Sequence, residues 1–465
     1  MTTHIALDVL VIGWGKAGKT LAAKLSATRK VGLVEQYATM YGGTCINIGC
    51  VPTKALITSA SRHVDSSSTD ADYFEKSVAH RNALIEKMRA KNHSMLEGKV
   101  LLIDGKARFS GPHSVVIEPS NADDSSRSTH DSIDESAAES ITVSAPIIII
   151  NTGAVTRIPD IPGTDLPHVY TSTSIQHAQP FPQSLTIIGG GFIGLEFATM
   201  MNDFGSHVTI LDSSDVFLSR LDRDVADKLY DTMTAQGIEI ISRARVEKIS
   251  QADNGQLTVY TSADAFTSDA VLLATGRTAA TANLNLDAAG IEVDSRGSIV
   301  VDDHLRTNVE GVYAVGDVNG GPQFTYISFD DHRIVLDDII GNGTRVRSDR
   351  VAVPTASFVR PPLSSVGMTE DEARAAGRNI VVKKADIADI AVMPRPKIIG
   401  SPEGMAKFIL DADTDEILGA VLYCVDSQEL INTVALAMRL HAPASMLRDG
   451  IWTHPASTEV FNGVL

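Results

Sequence analysis

An α/β architecture with two Rossmann-like dinucleotide-binding domains and a C-terminal α+β domain is predicted by three observations. Gly13-Trp14-Gly15-Lys16-Ala17-Gly18 follows an apolar run at 7–12 and precedes a helix-like stretch reaching about residue 28 and a second apolar run, 31–34, that closes on Glu35. The same order returns at 185–212, where Gly189-Gly190-Gly191-Phe192-Ile193-Gly194 opens the helix and Asp212 ends the second run. After about residue 350 no further glycine-rich nucleotide turn occurs.

In the first unit the glycines permit a tight turn and bring backbone N–H groups to a pyrophosphate at the helix N-terminus. Glu35, 22 residues after Gly13, can accept from ribose hydroxyls. The acid of the second unit stands 23 residues after Gly189, with Gly205 as a helix stop before the run 207–211. Two adjacent nucleotide sites point to two cofactors exchanging electrons, most economically a flavin and a nicotinamide. Between them, 118–140 is rich in Ser, Asp and Glu and reads as a mobile insertion in a hairpin whose strands are 115–117 and 141–143. In the C-terminal part, Thr369-Glu370-Asp371-Glu372 reads as a capping box for a short helix that stops at Gly377. A later helix is expected to open at Asp426 with Glu429 three residues on, placing Leu430, Val434, Ala437 and Met438 on one face for core packing or subunit contact.

The 465 residues, 43% hydrophobic and 21% charged, suit an ordinary globular protein of about three domains. A net charge of −17 repels phosphate polyanions and argues against a nucleic-acid partner. No run reaches the roughly 18 apolar residues of a membrane span, so no membrane partner and a cytoplasmic location are expected. Three cysteines cannot staple a secreted fold, but Cys45 and Cys50 lie together in Gly42-Gly43-Thr44-Cys45-Ile46-Asn47-Ile48-Gly49-Cys50-Val51-Pro52-Thr53-Lys54, directly after the first nucleotide unit. Pro52 suits the first turn of a helix, which sets Cys50 at a positive dipole end near Lys54, conditions that stabilise a thiolate. The competing reading, half of a zinc site, lacks a second close Cys/His cluster, and no resident metal is expected. Cys424 reads as a small buried residue, with a metal-relay or regulatory thiol as the other reading.

This segment resembles the redox-active disulfide of the class I pyridine nucleotide-disulfide oxidoreductases, the lipoamide dehydrogenase, glutathione reductase and mercuric reductase group. The resemblance extends to both glycine turns, Ala274-Thr275-Gly276-Arg277, Ala314-Val315-Gly316-Asp317, and His454-Pro455 with Glu459. It implies an FAD domain (1–153, with the insertion near 118–140), an NAD domain (154–276), a return segment of the FAD domain (277–348) and a dimerisation domain (349–465). FAD would be held by Gly13, Gly15, Lys16, Ala17, Gly18, Glu35, Gly43, Thr44, Lys54, Ala107, Thr152, Gly153, Asp317, Gln323, Phe324, Thr325 and Tyr326. The nicotinamide coenzyme would be held by Gly189, Gly191, Phe192, Ile193, Gly194, Glu196, Asp212, Val246 and Gly276. The resemblance implies hydride transfer from nicotinamide to flavin and then reduction of a Cys45–Cys50 disulfide. Cys50 would become the thiolate facing the ring and Cys45 the thiol that meets the acceptor. His454 would be the acid/base, oriented by Glu459 and serving the other subunit's disulfide in a homodimer, and Lys54 and Glu196 would pair beside the flavin. Phe192 would cover the flavin until nicotinamide arrives, its other reading being ordinary helix packing. Asp212, with no Arg between it and Arg220, favours NADH over NADPH, and Gly194 agrees with the family's NAD users.

Gly15-Lys16-Ala17-Gly18-Lys19-Thr20, Met40-Tyr41-Gly42-Gly43-Thr44-Cys45, Gln323-Phe324-Thr325-Tyr326 and Tyr423-Cys424-Val425-Asp426 look like the reactive-chlorine-resistance flavoproteins, a branch near mercuric reductase. That branch implies a metal-ion acceptor such as Cu(II) and a role in oxidant defence. The chain ends Phe461-Asn462-Gly463-Val464-Leu465 without the C-terminal cysteine pair of mercuric reductases, and has Phe324-Thr325-Tyr326 where lipoamide dehydrogenases usually show Leu-Ala-His. The alternatives are a dihydrolipoamide dehydrogenase or small-disulfide reductase and, from another class, a thiol redox sensor, which would not need His454, Glu459 and a nicotinamide fold.

Overall fold

A computed structural model describes residues 3–63, 70–119 and 140–465. Its principal helices are α1 (Lys16–Leu25), α2 (Cys50–His63), α3 (Asp70–Leu96), α4 (Phe192–Asp203), α5 (Arg223–Ala235), α6 (Thr325–Ile340) and α7 (Ser427–Arg439). The chain forms two compact units, the first from Met1–Ala55, Lys76–Arg157 and Arg277–Asp349, the second from Leu56–Glu75, Ile158–Gly276 and Arg350–Leu465.

In the first unit a parallel five-stranded sheet runs in the order Val312–Ala314, Ile147–Ile150, Val9–Ile12, Val31–Glu35, Leu101–Asp104. Every residue of Val9–Ile12 is buried, as expected of a central parallel strand covered on both faces, and α1 adds Leu21, Ala22 and Leu25 to the same core. A second sheet joins Thr3–Ala6, Ile141–Ser144, Ser114–Glu118 and Lys106–Gly111. In it Ser114–Glu118 and Ile141–Ser144 pair antiparallel, which is the expected hairpin. Residues 120–139 of the expected insertion lie outside the described residues.

The second unit holds another parallel sheet, in the order Val169–Thr171, Ala270–Leu273, Ser184–Ile188, His207–Leu211, Glu239–Ile241, and a three-stranded antiparallel sheet. A five-stranded antiparallel sheet runs from Thr355–Ser357 through Leu363–Gly367, Ile417–Tyr423 and Met405–Asp411 to Ile380–Asp386. Helix α7 packs on its core through Leu430, Ile431, Val434 and Ala437, with Met438 beside them, and turns Leu436 and Leu440 outward. The capping box at Thr369 and Glu372 is present, and Gly377 takes φ +71°. The one expected at Asp426 is not: this residue is left-handed (φ 62°) and makes no cap. Its carboxylate is taken by Arg395 (2.7 Å) and the Ser457 hydroxyl (2.7 Å). Lys407, 2% exposed, meets Asp222, Asp224 and Glu370 at 2.9–3.1 Å, tying the start of α5 to this sheet.

Candidate active site around the cysteine pair

The first glycine turn is built around Asn151. Gly13 takes φ +94°, and a Cβ there would fall 2.5 Å from the Asn151 carbonyl oxygen, so only glycine fits. Asn151 Oδ1 accepts from Gly18 N–H (2.8 Å) and its amide donates to Val315 O (2.6 Å), while Ser328 Oγ accepts from Ala17 N–H (3.2 Å). A Cβ on Gly43 would lie 2.8 Å from Gly15 Cα, so the cysteine-bearing loop touches the turn backbone to backbone. Glu35 ends its strand 9% exposed, accepting from Trp14 N–H (3.1 Å) and Gln36 N–H (2.9 Å). Burial pushes its carboxyl up to about 7 against those hydrogen bonds.

That buried acid is the test of whether a dinucleotide fits here, because ribose hydroxyls are the donors a desolvated carboxylate lacks. The residues fit. The linkage can be checked: the folded apoprotein holds an extra proton between the ordinary carboxylate range and about 7, so its stability falls by up to ~3 kcal/mol as pH rises through that window. Glu35→Gln should therefore melt above wild type as apoprotein at about pH 8, converge with it below about pH 5, and bind FAD at least about tenfold more weakly. Apoprotein melts with pH and an FAD titration check this; a difference in melting that does not change with pH would remove Glu35 from the ribose site.

Thr44–Asn47 forms one helical turn carrying Cys45, and α2 begins at Cys50 with Pro52 in its first turn, as expected. The Asn47 amide donates to Tyr41 O and Gly43 O (3.0 Å each), and Arg89 of α3 donates to Asn47 Oδ1 (3.0 Å). Both cysteines are thiols, Cys45 half-buried and Cys50 exposed. The Cys45 thiol is pushed well above its usual range, first by its hydrogen bond to Cys50, then by burial and the charge on Cys50. Thr325 and Lys19 pull the other way. Cys50 stands at the N-terminus of a 14-residue helix and 3.7 Å from Thr325 Oγ1, a position that favours a thiolate. Lys54 stands one turn further along α2.

Phe324 precedes α6, and its ring stacks on Tyr326 at 5.0 Å and 8°. Burial, and after it the charge on Cys50, raises the Tyr326 phenol to about 12. Gln323 is exposed beside them. Asp317 lies in the short turn Gly316–Asn319, its carboxyl raised by burial and partly held down by Arg277. Thr152 Oγ1 donates to Ala280 O (2.9 Å), Gly153 takes φ +75°, and Ala107 is buried in Lys106–Gly111.

In the second unit Gly189 takes φ +117° with the Ala274 carbonyl 2.5 Å from where a Cβ would stand, and Gly194 packs closely on the Gly189 carbonyl. Gly191 is open, and Phe192 is 47% exposed at the start of α4. Ile193 follows half-buried, and Gly276 is exposed with φ +103°. Asp212, buried, accepts from Ser214 N–H (3.1 Å) and would be 2.8 Å from a Cβ on Gly190. Val246 opens the strand Val246–Gln251. Glu196, buried in α4, accepts from Phe358 N–H (2.8 Å). His454 Nδ1 is 2.7 Å from Glu459 Oε1, the ring two-thirds exposed. Burial opposes ionisation of Glu459, but the Ala456 N–H (2.9 Å) and His454 hold its carboxyl below the usual range.

Fold and site define a flavin-dependent disulfide oxidoreductase with a pyridine nucleotide fold. Residues 7–331 match the pyridine nucleotide-disulphide oxidoreductase family and 353–464 its dimerisation domain, so the chain belongs to that family. It is 43% identical over 459 residues, 98% of each chain, to the probable pyridine nucleotide-disulfide oxidoreductase RclA of Escherichia coli (strain K12). Its structure is similar, at TM-score 0.89 and 42% identity over 99% of this chain and 98% of the other, to one described as a Cu(II) complex of HOCl-induced flavoprotein disulfide reductase RclA from Escherichia coli. The mercuric reductase of Bacillus cereus is 29% identical, over 95% of this chain and 68% of that protein.

Sequence reasoning missed Asn151 and Ser328, although the run of four isoleucines ending in Asn-Thr-Gly was a usable signal for the first. It also missed Arg243, whose N–H donates to Ser214 O (3.1 Å) and whose guanidinium faces Asp215 (3.5 Å) on the loop after Asp212. No helix among the described residues is long and apolar enough to cross a membrane.

Proposed function

We propose that this chain is an NADH-using, FAD-dependent reductase that passes electrons through a Cys45–Cys50 disulfide to a metal ion such as Cu(II), in defence against hypochlorous acid. The observation that carries the chemistry is the thiol pair within hydrogen-bonding reach, with Cys50 at the start of α2 and against Thr325. Support for the acceptor is the description of the similar structure as a Cu(II) complex of an HOCl-induced protein.

FAD, held by the first glycine turn and Glu35, would supply the two-electron link between the nicotinamide and the disulfide. The chain's own residues then divide the work. Cys50 holds the thiolate at the dipole end of α2, and Cys45 meets the acceptor. Two Cu(II) ions take one electron each, the two sulfurs rejoin, and two protons leave; soft thiolate ligands favour the Cu(I) that forms. Glu459 fixes the His454 ring and stabilises its protonated form, so that His454 can hold the proton Cys45 releases. By the family resemblance, Phe192 would cover the flavin, and Lys54 with Glu196 would charge the ring's surroundings. Residues 1–153 and 277–348 are assigned to FAD, 154–276 to the coenzyme and 349–465 to dimerisation. A homodimer would bring one subunit's His454 to the other's cysteines, and the exposed Leu436, Leu440, Met446 and Ile451 support such an interface. Asp212 supports NADH, with Arg243 nearby as a weak counterweight toward NADPH. The nicotinamide supply and a cycle that passes through a free dithiol favour the cytoplasm.

The test is anaerobic coenzyme oxidation by the FAD-loaded protein with Cu(II), lipoamide and small disulfides, using NADH and then NADPH. Turnover on Cu(II) exceeding lipoamide by about tenfold or more, with NADH preferred, is expected. Faster turnover on lipoamide would make the chain a dihydrolipoyl dehydrogenase, like the 29% identical mitochondrial protein of Pisum sativum, which matches 97% of this chain and 89% of its own length.

A further inference from the structure

Lys19, inside one of the segments that carry the resemblance to this branch, takes no step in the reaction described so far. It lies on α1, half-buried, and its ammonium donates to Asn92 Oδ1 (2.6 Å) and to Gly42 O (3.2 Å). Asn92 is itself anchored on α3 by donation to Met88 O (2.7 Å). Gly42 is three residues before Cys45, takes φ +99°, and has Ile46 Cδ1 2.8 Å and Asn92 3.3 Å from where a Cβ would stand. The turn leading into Cys45 is thus closed against α3 through a charged group where an apolar residue could have filled the space. Burying an ammonium costs free energy unless another charge uses it.

We propose that Lys19 is a positioning residue for Cys45, pinning the Gly42 turn and supplying positive charge to the thiolate that Cys45 becomes when it engages its acceptor. This rests on the reading of Cys45 as the acceptor-facing sulfur. The influence runs both ways: burial, and then Lys16, lowers the Lys19 ammonium to about 8 while Cys45 holds it up, and Lys19 in turn lowers the proton affinity of Cys45. The other groups that face the pair are Cys50 at the start of α2 and Thr325 at the start of α6. From α3, Asn92 is neutral and Arg89 is engaged by Asn47. In the loop, Tyr41 is bonded through its hydroxyl to Asp104 and packs on His93.

The experiment uses FAD-loaded protein in a Cys50→Ser background, where Cys45 is the accessible thiol because Cys424 is fully buried. Alkylation of Cys45 by iodoacetamide is followed against pH with Lys19, Lys19→Gln and Lys19→Arg. Gln keeps a donor for Gly42 and Asn92 but removes the charge, so a merely structural role would leave its profile unmoved. Lys19→Gln is expected to raise the midpoint by about one pH unit and slow alkylation about tenfold at neutral pH, with Arg restoring the parent profile. A midpoint in Lys19→Gln that coincides with the parent's overturns the role of Lys19. A separate NADH titration of wild type must yield two new alkylatable thiols; if it yields none, the disulfide reading fails first and this proposal with it.

Discussion

Cys45→Ser should bind FAD and still be reduced by NADH, yet turn over any acceptor at less than about one-thousandth of the wild-type rate. The serine hydroxyl loses its proton far above working pH, cannot rejoin Cys50 in a disulfide and is a poor ligand for Cu(I). The fold should be indifferent to the change, because Cys45 is only half-buried and the loop is held by Asn47, Arg89 and backbone bonds that do not involve sulfur. Stopped-flow reduction of the flavin separates the two halves of the cycle. A variant that still reduced Cu(II) at more than a tenth of the wild-type rate would show that the metal takes electrons without passing through the disulfide.

His454→Ala should distinguish acceptors. A disulfide acceptor needs a proton on the departing sulfur, so its turnover should fall by roughly 10²–10⁴ and lose its dependence on pH near the imidazole range. Cu(II) leaves as Cu(I) with no proton to receive, so turnover on the metal should fall by less than about tenfold. Stability should hardly move, since the ring is two-thirds exposed and Glu459 keeps the Ala456 N–H. Equal losses on both acceptors would mean that taking the proton of Cys45, rather than giving one to the departing sulfur, limits turnover on either.

Much of this site was legible in the chain because its parts are local. A glycine turn, the acid that ends the next strand and a pair of cysteines five positions apart are short-range patterns, and the backbone at Gly13 and Gly189 shows why no other residue serves there. What escaped was non-local. Asn151 clamps a turn 133 residues before it and a carbonyl 164 residues after it, and no spacing rule connects them. Arg243 reaches the Asp212 loop only because the strand Glu239–Ile241 lies beside His207–Leu211. Asp426 carried the local signature of a cap, but Arg395 and Ser457, each 31 positions away, outbid its own helix for the carboxylate.

Cys424 bears on durability. Its sulfur is 0% exposed and burial pushes the thiol up to about 12, leaving on the order of one molecule in 10⁵ as thiolate at neutral pH. The chain has no fourth cysteine. A protein proposed to work in hypochlorous acid therefore offers the oxidant, as thiols, the two that its own coenzyme can restore. Thiol damage to this molecule should remain repairable sulfenic acid or disulfide at the working pair, with no spare thiol to cross-link one copy to another.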